Sequence, residues 1–183
     1  MSAESVPRYC PQRALPPYSY VTGLFPHPTR DQRGHSFGKH EPPPSPLLEE
    51  LHRENEVYAY ALDLFNHGFY WEAHEAWESL WHAAGRHGAT ADFLKGLIKL
   101  AAAGVKAREG RPAGVKQHAE RAADLFRSVR HADGPHATTR FGLDLAKLIR
   151  EARDIADQAQ QLAGDGQPNA DRRLPLVLRL NAF

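Results

Sequence analysis

The residues of this chain that could do chemistry gather in one short segment, LFNHGFYWEAHEAWESLW, from Leu64 to Trp81. It holds all three tryptophans together with His74, Glu75 and Glu78. Set on a helix at about 100° per residue, Tyr70, Ala73, Trp77, Leu80 and Ala84 centre one face. Trp81 and then His74 extend that face on one side. Glu78 and Trp71 lie further round, with Glu75 just past them. Glu72 and Ser79 fall on the opposite side and read as solvent-facing.

A carboxylate on a largely aromatic arc must find a donor or accept a raised pKa, because an unpaired buried charge is costly. A His–Glu pair at i, i+4, such as His74 and Glu78, is the smallest unit for general acid–base work or for part of a metal site. The same groups also fit a purely structural network. A glutamate can accept from an indole N–H or from a lysine on a facing helix, which leaves His74 a satisfied core histidine. On either reading, His74→Ala and Glu78→Ala are expected to lower stability.

The zinc-protease pentapeptide is absent, since Glu78 stands where its second histidine belongs. His27, His35 and His40, with Asp31, match no standard zinc spacing. The segment around Ser36 lacks the strand–turn–helix context of a nucleophile elbow. No residue is therefore assigned as a metal ligand, and the cofactor stays unknown. Lys95, Lys99 and Lys106 fall on one stripe of a later helix. They read either as a solvated face or, for Lys95 and Lys99, as partners of Glu75 and Glu78.

Helices must position these groups. The apolar period predicts a first helix from about Pro46 to Asn66, with Leu47, Leu51, Tyr58, Leu62 and Phe65 buried, ended by Gly68. A second runs from about Tyr70 to Ala84. A third, about Ala91 to Arg108, takes Thr90 as its N-cap and stops at Gly110. Pro112 opens a fourth that reaches about Val129. A fifth spans about Leu143 to Leu162. The tail LPLVLRL reads as an extended strap. The fold class is all-α: a compact bundle of about five helices, built from two helical hairpins plus a C-terminal helix. The helical domain covers residues 46–163 and the tail 164–183.

Ten of the fourteen prolines lie in residues 1–46, so residues 1–45 form an irregular proline-rich arm that cannot be regular helix. Its aromatic residues, Tyr9, Tyr18, Tyr20, Phe25 and Phe37, are unusual for a solvated linker. Part of the arm, roughly residues 16–38, is expected to pack on the domain.

With 23 Lys+Arg against 22 Asp+Glu, the chain has no cationic excess to hold nucleic acid or an acidic membrane. No apolar stretch is long enough to span a bilayer. The single cysteine, Cys10, and the lack of an apolar leader favour a cytoplasmic setting.

Asn66, Gly68, Tyr70, Trp71, Glu72, Ala73, His74, Glu75, Glu78 and Trp81, followed by the block Phe93-Leu94-Lys95-Gly96-Leu97-Ile98-Lys99-Leu100, resemble the helical family catalogued as domain of unknown function 309. The likeness covers about Leu51 to Val129. It departs at Lys95 and Lys99, where the family commonly has glutamine. It implies a compact helical bundle and no activity.

Two functions fit. One is a pocket between the second and third helices for a small-molecule ligand or for acid–base chemistry. His74, Glu75 and Glu78 would be the candidate catalytic groups, Trp71 and Trp81 the walls, and Lys95, Lys99, Asn66 and Tyr70 ligand-facing. The alternative is a protein-interaction module that presents its hairpins, in the manner of tetratricopeptide repeats, to a protein partner or to a second copy in a homo-oligomer.

Overall fold

A computed structural model describes residues 5–134 and 136–181. Among these, six α-helices carry the fold: α1 (Glu56–Asn66), α2 (Tyr70–Ala83), α3 (Ala89–Arg108), α4 (Pro112–Ala132), α5 (Leu145–Asp157) and α6 (Ala159–Ala163). The helical hairpin α1–α2 packs through α2 on α3. The hairpin α3–α4 packs through α4 on α5. No helix is long and apolar enough to cross a membrane.

Both hairpin turns rest on a left-handed glycine. Gly68 (φ 82°) lets Phe69 N–H reach back to the Leu64 carbonyl. Gly110 (φ 72°) does the same for Arg111 N–H and the Lys106 carbonyl. Two further glycines set how closely the helices cross. A Cβ on Gly104 would stand 2.4 Å from the Tyr70 ring, and one on Gly96 would stand 2.5 Å from the Phe126 ring. Only a hydrogen side chain lets α3 approach α2 and α4 this closely.

Three element boundaries differ from those the sequence predicts. The first helix starts at Glu56, not Pro46. The Asn55 side chain caps it by accepting from Tyr58 N–H at 3.0 Å. Before it, Glu49–Leu51 make only a 3-10 turn (η1), which leaves Leu51 exposed while Leu47 is buried. Thr90 is not the cap of α3. Gly88 precedes that helix, and the Thr90 hydroxyl accepts from Arg140 at 2.9 Å. The fifth helix is broken at Gln158. It begins only at Leu145, where Asp144 accepts from Lys147 N–H at 2.7 Å.

Just ahead of that cap lies a two-stranded antiparallel ribbon that the helical period conceals: β1 (Thr139–Arg140) and β2 (Leu143–Asp144). Phe141 and Gly142 turn it with φ of 46° and 76°. Left-handed backbone disfavours phenylalanine. Here the ring is buried against Tyr58 and Phe93, and the burial offsets the strain.

The tail 174–181 is extended. Leu174, Leu176 and Leu178 alternate inward, and the exposed Pro175 faces out between the first two. Asn66 brackets Leu178 with two hydrogen bonds, donating to its carbonyl at 2.9 Å and accepting from its N–H at 2.7 Å. The Tyr70 hydroxyl accepts from Leu174 N–H at 2.8 Å.

Candidate functional site

Helix α2 places its polar side chains on two sides. On the first, His74, Glu75 and Glu78 converge. His74 Nδ1 lies 3.4 Å from Glu75 Oε1 and 4.0 Å from Glu78 Oε2. One potential ligand atom from each residue falls within 4.8 Å of the others, and among the described residues this is the cluster of its kind. The Nδ1 atom is shielded from solvent yet makes no hydrogen bond. The carboxylates are accessible, with Glu75 48% and Glu78 41% exposed. Both carboxylates reach solvent, so they are not the desolvated pair that the wheel suggests.

The Lys95 ammonium lies 5.8 Å from the Trp81 ring centroid. Neither Lys95 nor Lys99 forms an ion pair with Glu75 or Glu78. Lys99 instead acts on His118 of α4. Burial first, and then Lys99, Lys106 and His74, push that imidazole below its ordinary value of 6.5. Lys106 pairs with Glu109 at 2.6 Å. Asn66 and Tyr70, expected to face a ligand, are taken up by the tail. Burial raises the Tyr70 phenol.

The second side of α2 corrects the wheel. Glu72, expected to face solvent, has a side chain only 6% exposed. It accepts from Tyr20 N–H at 2.9 Å and from the Ser19 hydroxyl at 3.4 Å, and it meets His35 Nε2 at 3.2 Å. All three partners come from the N-terminal arm, which a wheel of α2 alone does not contain. Asp63 on α1 is held the same way. Its fully buried carboxylate accepts from Arg8 Nε (2.9 Å), Tyr9 N–H (2.6 Å) and Cys10 N–H (2.9 Å). The one available signal for Asp63 was its position inside the apolar run Ala59–Phe65. Trp71 likewise meets the arm, with its ring centroid 5.6 Å from Tyr20 and 5.3 Å from His27.

Between the arm and the α1–α2 hairpin a cleft of about 380 Å³ remains. Tyr60, Leu64 and Val57 of α1, Trp71 and Ala76 of α2, and Pro42–Pro44 of the arm give it an apolar lining. Glu75 also lines it, so this residue stands between the cleft and His74.

No curated protein matches the chain significantly. Residues 58–117, which run from α1 into the start of α4 and contain the whole His74 cluster, match the family model described as Domain of unknown function (DUF309).

Proposed function

We propose that the chain is a ligand-binding helical domain whose polar centre, His74 with Glu75 and Glu78, holds a divalent transition-metal ion. The observation that carries this reading is the His74 Nδ1 atom, shielded and without a hydrogen bond while two carboxylate oxygens face it. Two donor atoms bound to one zinc at about 2.1 Å and at a near-tetrahedral angle stand about 3.4 Å apart. The His74–Glu75 separation has that size, and a small rotation of Glu78 would close the third side. Imidazole and carboxylate donors suit zinc or manganese better than calcium. Three protein donors leave room in the coordination sphere for a ligand, which is the pattern of working sites rather than of structural ones.

Calorimetric titration of the purified chain with zinc and with manganese chloride tests this reading. The expected result is stoichiometric binding. His74→Asn and Glu78→Gln should each weaken it by more than the roughly tenfold that loss of an outer-sphere partner costs. Absence of binding, or equal binding by both variants, removes the proposal.

A second reading has its own support. Asp63 and Glu72 both hold backbone N–H groups of an extended, proline-rich segment, so the outer face of the α1–α2 hairpin is suited to a polypeptide strand. An interaction module would use this face, with the arm as its occupant in the isolated chain. A labelled peptide of residues 5–38 that binds the full chain in trans would favour it.

A further inference from the structure

We propose that the cleft between the arm and the α1–α2 hairpin binds a small organic cation, an aryl group carried on an alkylammonium. The cleft shares Glu75 with the metal centre proposed at His74, so an ion there and an ammonium in the cleft would compete for that carboxylate; the cleft itself needs no ion, and His74 is not among its lining residues. Its volume of about 380 Å³ lies at the lower end of the 300–1,000 Å³ usual for small-molecule pockets. Its floor is apolar and aromatic, and its wall includes the Trp71 ring, whose position Tyr20 and His27 fix. Such a surface takes a flat apolar body.

The charge of the ligand follows from the inventory of the lining. Three acids, Glu41, Glu72 and Glu75, face two cations, Arg13 and Lys39. Arg13 is paired with Glu41. Glu72 is saturated by Ser19, Tyr20 and His35. Glu75 is left, half-exposed, with His74 at 3.4 Å and a second acid, Glu78, within 4.8 Å. Lys39 also lines the cleft, from an exposed stretch of the arm. The carboxylate available inside the cleft is therefore Glu75. The aromatic lining favours the same sign, because a ring face attracts a cation. Arg13 already illustrates this, with its guanidinium carbon 4.2 Å from the Tyr60 ring centroid. An ammonium at Glu75 would leave its aryl group against Trp71, Val57 and Leu64.

Three probes of one shape decide the matter: 2-phenylethylamine, 2-phenylethanol and 3-phenylpropionate, titrated into the full chain in the presence of EDTA. The indole N–H resonances of the three tryptophans report the site, with Trp71 assigned by Trp71→Phe. The amine should bind about fivefold tighter than the alcohol, the scale of one accessible ion pair, and the carboxylate weakest. The Trp71 resonance should move and that of the buried Trp77 should not. Glu75→Gln should bring the amine down to the alcohol's affinity. Ala76→Leu, which fills the floor, should abolish binding of all three while its melting curve shows a folded chain. The proposal is overturned if the carboxylate binds ahead of the amine, or if Glu75→Gln leaves the amine's advantage intact. A stationary Trp71 resonance, or amine binding that appears only when zinc replaces EDTA, overturns it as well.

Discussion

His35 and Glu72, 37 residues apart in sequence, meet at 3.2 Å with both side chains more than nine-tenths buried. The Glu72 carboxylate gathers donors from three arm residues, and removing it strands buried polar groups rather than one contact. Glu72→Ala is expected to destabilise the chain by about 2–3 kcal/mol, because hydrogen bonds to a charged group are worth more than neutral ones. Urea unfolding measures this. A change below about 0.5 kcal/mol, the range of ordinary surface substitutions, would show that the arm is not held there.

Cys10 is fully buried, and burial pushes its thiol above the ordinary value. Its N–H is one of the three donors to Asp63. The native chain should react with a thiol-specific disulfide reagent far more slowly than the urea-unfolded chain. Asp63→Asn, which weakens the clamp beneath it, should speed the native reaction. Equal native rates in parent and variant would separate Cys10 access from the Asp63 clamp.

Gly104→Ala should destabilise by about 1–3 kcal/mol, the usual cost of overpacking. The added methyl meets the Tyr70 ring, which the tail pins through Leu174 and which therefore has little room to retreat. Gly134, where nothing lies within 4 Å of a Cβ, has a left-handed backbone instead. Alanine there should cost backbone strain alone. A calorimetric comparison of the two variants separates steric from conformational cost.

Of the protein's arrangement, the helical hairpins were legible because each turn has a local cause. Gly68 and Gly110 stand where a left-handed residue must follow a helix, and the apolar period of α3 and α4 survives intact. The start of α1 was not legible from period alone. Leu47 and Leu51 continue the spacing of Tyr58 and Leu62, but Asn55 offers a cap and the prolines before it do not favour helix. The candidate site was legible as a set of residues, His74, Glu75 and Glu78, though not in its exposure. A helical wheel knows only which side faces the bundle. It therefore made Glu72 solvent-facing, because the arm that buries this residue lies between residues 19 and 35. The Phe141–Gly142 turn was hidden for a related reason: burial against Tyr58 and Phe93 stabilises a conformation that phenylalanine alone would avoid.

His118 provides a pH test. Its folded pKa is lowered by burial and by Lys99, Lys106 and His74. The unfolded chain then takes up this proton at higher pH than the folded chain does. The resulting stability is present above the unfolded value of 6.5 and is lost as pH falls through it toward the folded value. His118→Gln should lose less stability between pH 7.5 and 5.5 than the parent. An imidazole titrating above 6.5 by NMR would reverse the sign and remove the prediction.

The two extended segments fasten to the same hairpin, the arm at Asp63 and Glu72 and the tail at Asn66 and Tyr70. A pull on arm and tail would therefore load α1 and α2, and through the Asn181 N–H to Gly142 carbonyl bond also the ribbon ahead of α5. The straps would peel away one anchor after another, each yielding in turn rather than all sharing the load. Mechanical resistance would then be set by the strongest single anchor.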